Sequence, residues 1–190
     1  MKALTDGCSC GEIRYRLTNK PLVVHVCHCL DCKKITGSAF VINIWIEREY
    51  VEVSSTKPKS YLTAGGSGKE HEAFFCGKCG TYVWSRYAIA PGDPLFVRAG
   101  TLDNPKVVKP DIHLFTRHKL PWVTLSEGVP AFRSAYRIAK VWPEASKERL
   151  RKNVAQASMI KGRARPGASR GTHAAGKNES ESNSQSCSDS

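Results

Sequence analysis

Apolar and polar residues alternate with a period of two along Glu12-Ile13-Arg14-Tyr15-Arg16-Leu17 and again along Val51-Glu52-Val53-Ser54. That period turns one face of an extended strand toward a core and the other toward water. Val23–Val26, Ala39–Ile46, Tyr82–Trp84 and Leu95–Ala99 add β-branched and aromatic runs bounded by Gly, Pro or Asn, and these read as further strands. One helix is predicted, opening at Pro143 and running through Ala157, with Leu150 and Val154 four residues apart. Strands at this spacing, without long helices between them, predict an antiparallel all-β domain. The chain has no internal repeat.

Composition divides the 190 residues near Pro143. Residues 1–144 carry 20 basic and 13 acidic side chains; residues 145–190 carry 9 and 4, and no aromatic residue. From Lys161 onward Gly, Ala, Arg, Ser and Asn prevail, a mixture that buries too little apolar surface to offset the entropy of ordering. The expected organisation is an ordered domain over 1–143, followed over 144–190 by a short helix and a disordered basic, Ser-rich tail. The absence of any run of 18 apolar residues excludes a membrane-spanning helix. The first ten residues lack the apolar stretch of a secretory signal, so the cytoplasm is the expected location, with the nucleus second.

Two motifs with a catalytic look fail on spacing. Gly65-Gly66-Ser67-Gly68-Lys69-Glu70 departs from the phosphate-loop pattern at Thr63 and at Glu70, and is read as a turn between strands. No G-x-S-x-G elbow is present, which leaves serine-type hydrolysis without support.

The cysteines are more informative. Cys8-Ser9-Cys10, Cys27-His28-Cys29-Leu30-Asp31-Cys32 and Cys76-Gly77-Lys78-Cys79 lie in the domain, and Cys187 stands alone in the tail. In a reducing compartment thiols rarely pair, and an odd count of seven argues further against disulfides. Four thiolates close a tetrahedral structural zinc site, whereas a catalytic zinc keeps three protein ligands and one exchangeable position. Seven sulfurs therefore propose one site of each kind. Spacing alone leaves the partition open. Cys29-x-x-Cys32 with Cys76-x-x-Cys79 makes an alternative zinc ribbon, His28 is a candidate fourth ligand beside Cys27 and Cys29, two purely structural zincs fit the count, and an iron–sulfur cluster is a further option.

The series G-C-S-C-G-E-I-R-Y, C-H-C-L-D-C-K-K-I-T-G-S-A-F and F-F-C-G-K-C-G-T resembles the glutathione-dependent formaldehyde-activating (GFA) family, which includes the centromere protein V domain. Arg98-Ala99-Gly100-Thr101-Leu102-Asp103, His113-Leu114-Phe115-Thr116 and Trp122 look like it too, so the likeness covers about 7–125. The resemblance implies an all-β, zinc-stapled fold like that of small Rab-accessory zinc proteins. It also implies two zinc ions, a structural one on Cys8, Cys10, Cys76 and Cys79 and a catalytic one on Cys27, Cys29 and Cys32. The implied activity is that of a carbon–sulfur lyase, joining glutathione or another small thiol to formaldehyde or a related small electrophile.

A thiol entering an open position on zinc loses its proton there, and a net positive domain steers an anionic thiol such as glutathione. Lys33 and Lys34 are expected as solvated charges, and Gly37-Ser38 as a source of backbone N–H groups near the site. Arg98 and His113 are candidate pocket residues without an assigned catalytic role, and Trp122 is expected in the core. The rival reading is a zinc-stabilised binding module. Eight basic residues against one acid between Lys147 and Arg170 would attract nucleic acid or an acidic partner. No aromatic residue interleaves them, so a solvated tail is preferred and no nucleic-acid or membrane partner is expected.

Overall fold

The computed structural model describes residues 4–163. The tail beyond, with Cys187 and the expectation of disorder, lies outside the described residues. In chain order the strands are β1 (Leu4–Gly7), β2 (Arg14–Leu17), β3 (Val23–Cys27), β4 (Val41–Ile46), β5 (Val51–Val53), β6 (Lys59–Ala64), β7 (Glu70–Phe75), β8 (Tyr82–Tyr87), β9 (Leu95–Arg98) and β10 (Ile112–Leu114). The helices are α1 (Leu30–Thr36), α2 (Ile138–Val141) and α3 (Glu144–Arg163). The fold is mostly β, as expected.

A three-stranded sheet, ordered β1-β2-β5, packs on a seven-stranded one ordered β10-β3-β4-β9-β8-β7-β6. Pairing is antiparallel except where β10 joins β3 in parallel, with Ile112 opposite His25 and Leu114 opposite Cys27. This exception to the antiparallel expectation follows from the connection. The chain leaves β9 at Arg98 and makes a 13-residue excursion before β10, long enough for a crossover.

Alternation along the central strands explains both cores. Val24, Ile44 and Val97 turn toward the small sheet, where Ile13, Tyr15 and Leu17 meet them and Tyr15 packs edge-on against Trp84 at 5.1 Å. Val23 and Trp45 turn to the opposite face and are covered by Trp142 and Leu150, with Trp45 and Trp142 edge-to-face at 5.0 Å. α3 is longer than predicted, reaching Arg163. Its Leu150 is buried and Val154 partly so, which makes the four-residue spacing a core contact. A bidentate pair joins Arg149 to Glu47, with Nε donating to Oε1 at 2.9 Å and Nη2 to Oε2 at 2.5 Å.

The Gly-rich segment joins β6 to β7, as the failed phosphate-loop pattern implied. Gly65 N–H donates to Lys69 C=O and Gly68 N–H to Gly65 C=O, and Gly68 adopts φ +71°. Trp122, expected in the core, is instead 72% exposed. It follows Pro121 in an irregular segment between β10 and α2.

Candidate metal centres

Two knuckles carry the first sulfur set, and both use the same turn. Gly11, at φ +77°, lets its N–H return to Cys8 C=O at 3.1 Å; Gly80, at φ +73°, does the same to Cys76 C=O at 2.9 Å. Positive φ is easy for glycine and strained for other residues. The turns fold Cys8, Cys10, Cys76 and Cys79 inward, with all four Sγ atoms within 4.8 Å of one another. Cys8 and Cys10 sulfurs are 3.5 Å apart, and Cys10 and Cys76 sulfurs 3.8 Å. Four sulfurs about 2.3 Å from a tetrahedral ion stand about 3.8 Å from each other, so the donor set fits a zinc-sized ion. Thr81 Oγ1 ties the knuckles together: it accepts Ser9 N–H at 3.2 Å and lies 3.1 Å from Cys79 Sγ. Ile13 N–H donates to Cys8 Sγ at 3.2 Å, an interaction suited to a thiolate.

The second set is local. Cys27 ends β3, Cys29 caps α1 with its sulfur accepting Cys32 N–H at 3.3 Å, and Cys32 sits in the first turn of that helix. Their three sulfurs lie within 4.8 Å of one another. Among the described residues no fourth His, Cys, Asp or Glu joins them. Contacts with Cys27 and then Cys32 hold the Cys29 thiol far below its usual range, at about 2. Cys27 is pushed up by its contacts with Cys29 and Cys32 and by burial. Three sulfurs packed this closely perturb one another's protonation, the electrostatic setting in which a divalent cation displaces protons.

His28, just past the end of β3, points toward His113 and does not join its flanking cysteines. It is fully buried, and its Nε2 lies 3.2 Å from His113 Nδ1. Ser126 N–H donates to His113 Nε2 at 3.2 Å, which leaves His113 Nδ1 to donate and His28 Nε2 to accept. Burial first, then His113, Lys119 and Lys33, lower His28 to about 4. His28 therefore supports the loop from behind and does not complete the sulfur set. His113, a candidate pocket residue, belongs to this support.

Two more expectations are corrected. Lys33 is not simply solvated, since its Nζ donates to His118 C=O at 2.7 Å and pins α1 to the segment after β10; Lys34 is exposed. Gly37 and Ser38 do not offer free N–H groups, because both donate to Lys33 C=O to close α1. Arg98 is buried on the sheet face that carries Cys27, held by Asn43, Tyr82 and Ser85. Asn43, Tyr82, Ser85 and His71 (whose Nε2 lies 3.3 Å from Tyr82 Oη) were not singled out from the sequence. A readable signal existed for one of them: Asn43 is a polar side chain inside the apolar run Val41-Ile42-Asn43-Ile44-Trp45-Ile46. A cavity of about 330 Å³ lies elsewhere, beneath α3 between Leu22, Ile112 and Trp142.

A family model described as glutathione-dependent formaldehyde-activating enzyme matches residues 3–118, which include all seven of these cysteines. The chain belongs to the GFA family. GFA membership associates it with enzymes of glutathione-dependent formaldehyde activation, and both sulfur sets are able to hold a metal ion. No curated protein matches the sequence. Among solved structures, a crystal structure of a Rhodobacter sphaeroides protein is 18% identical and aligns with 68% of this chain and 100% of its own, at a TM-score of 0.44. Among the described residues of this GFA protein, no helix is long and apolar enough to cross a membrane.

Proposed function

We propose that the protein is a zinc-dependent carbon–sulfur lyase of the S-(hydroxymethyl)glutathione synthase type, acting on the adduct of a small thiol with formaldehyde or a related aldehyde. In this reading Cys8, Cys10, Cys76 and Cys79 hold a structural zinc, and Cys27, Cys29 and Cys32 hold a second. The observation that carries it is the inequality of the two sets, four sulfurs against three, with no further His, Cys, Asp or Glu beside the three among the described residues. Zinc bound by three thiolates supplies one exchangeable position at which a thiol is deprotonated near neutral pH. The chain itself fixes Cys29 and Cys32 on a helical turn capped at both ends, and it backs the loop with the buried pair His28 and His113. In the addition direction a C–S bond forms at the carbonyl carbon and the thiol proton finishes on the carbonyl oxygen. The reaction therefore needs no oxidant or reductant.

The test is metal content and turnover in three proteins. The unaltered chain should hold about two zinc ions and convert glutathione with formaldehyde. Cys32→Ser should lose the more exchangeable ion and the activity while its melting curve stays close to the original. Cys76→Ser should lose the fold, because structural zinc binding is worth about 10–16 kcal/mol in small peptides. Equal melting of the two variants would make both sites structural and would favour the binding-module reading.

A further inference from the structure

Asp6 is 0% exposed, yet among the described residues neither of its carboxylate oxygens has a hydrogen-bond partner. Glu47, the other buried carboxylate, is treated differently, since Arg149 grips both of its oxygens. An ionised carboxylate taken out of water without a partner is strongly unfavourable. One standing explanation of such an orphan is a bound species that the chain alone does not supply. Cys8 is two residues further on, but Asp6 joins neither sulfur set.

A cavity lies beside the orphan. Leu4 pairs with Leu17 and Asp6 with Tyr15 across β1 and β2, so Leu4 and Asp6 share the face of β1 that looks into the core. Asp6 also bridges Leu102, and Asp103 N–H donates to Thr5 C=O at 3.1 Å, which lays the segment after β9 against β1. The space at this junction measures about 280 Å³ and is lined by Leu4, Asp6, Leu102, Asp103, Asn104 and Val107. Val107 is 52% exposed and marks its mouth. The other carboxylate and the amide oxygen of the wall are engaged. Asp103 gives both oxygens to Arg14, at 2.9 and 2.5 Å, and Asn104 Oδ1 accepts Lys106 N–H at 3.2 Å. Arg14 and Asp103 cancel in charge, which leaves Asp6 as the unbalanced anion of this wall.

The lining selects the kind of ligand. Among the described residues no group of three His, Cys, Asp or Glu side chains includes Asp6, whereas a calcium ion takes about 6–8 oxygens. The space also far exceeds the ~30 Å³ share of one water. Leu4, Leu102 and Val107 give it apolar walls around one placed anion, the make-up of a small-molecule site. We propose that this cavity binds a small organic cation, a primary ammonium on a short aliphatic chain. The ammonium donates to the Asp6 carboxylate and cancels its charge, and the chain lies against Leu4, Leu102 and Val107. The site is separate from both sulfur sets and does not depend on the metal reading above.

The experiment uses the full chain and three probes of similar size, n-butylammonium, 1-butanol and butyrate. Each is titrated while the backbone amide NMR signals of Asp6 and Leu102 are followed. n-Butylammonium should shift both signals saturably and bind at least about tenfold more tightly than 1-butanol, with butyrate weaker still. D6N should lose that preference for the ammonium while still admitting 1-butanol. V107W, made at an exposed position, should weaken the ammonium at least about tenfold by filling the mouth, and it keeps the test available if D6N fails to fold. No saturable shift with n-butylammonium, or equal affinity for the three probes, would overturn the inference. So would an ammonium affinity that D6N or V107W leaves unchanged, since the cation would then bind somewhere else.

Discussion

The Arg149–Glu47 pair offers the sharpest test of how the C-terminal helix is bound. Glu47 is 2% exposed and follows the last residue of β4; the Arg149 side chain is 27% exposed and grips both carboxylate oxygens. Truncating Arg149→Met leaves the carboxylate in a site built for an ion pair. Removing one partner of a buried pair typically costs about 3–5 kcal/mol. Because Arg149 is a quarter exposed, its departure lets some water reach Glu47, and the expected loss is about 2–3 kcal/mol. For a domain of this size that corresponds to a fall in Tm of about 5–10 °C. Glu47→Gln in the same background should recover at least half, since an amide tolerates the site without a counter-ion. Denaturant titration of the two single variants and the double closes the cycle. A loss below about 0.5 kcal/mol for Arg149→Met, the level of an exposed pair, would refute the reasoning and leave α3 held by Trp142 and Leu150 alone.

Other outcomes follow from burial and protonation. Trp45→Ala should cost about 3–5 kcal/mol by opening the aromatic contact with Trp142, whereas Trp122→Ala should stay within about 0.5 kcal/mol in the same titration. His113 is buried, and burial lowers its pKa below the ordinary 6.5, so the unfolded chain binds the extra proton first as pH falls. Stability contributed by neutral His113 is complete above pH 6.5 and declines as the solution is acidified toward the folded-state pKa. His113→Gln should therefore flatten the acid limb of stability against pH by up to about 1.4 kcal/mol per pH unit, and an unchanged limb would contradict the assigned tautomer chain.

The strands that the sequence made legible are those with a buried face. Arg14–Leu17, Val23–Cys27 and Val41–Ile46 alternate or run apolar because one or both faces are covered. β6 was invisible for the opposite reason: all six of its residues are exposed, so no periodicity is imposed on Lys-Ser-Tyr-Leu-Thr-Ala. β10 is only three residues long and its place beside β3 is set by partners 87 positions away, which no local pattern encodes. At the site, spacing revealed the three cysteine clusters but not their partition, which depends on β7 and β8 bringing Cys76 and Cys79 to the first knuckle. His28 was ambiguous because alternation in a turn cannot be judged without its neighbours, and His113 resolves it. Arg98 looked like a generic pocket residue; only the sheet register reveals that a cation has been buried among neutral groups.

The two sulfur sets also differ in how far along the chain their members lie. Cys27, Cys29 and Cys32 are complete once a few dozen residues have been made, whereas Cys10 waits for Cys76, 66 positions later. On a ribosome, an ion offered to the nascent chain meets a finished three-sulfur claw while Cys8 and Cys10 still lack half of their set. Sheet assembly then has to bring the distant knuckle home, against a loop-closure entropy that the short claw never faces. On the proposed function, the spacing of the cysteines sets the order of metal loading, with the three-sulfur set ready first and the four-sulfur set last.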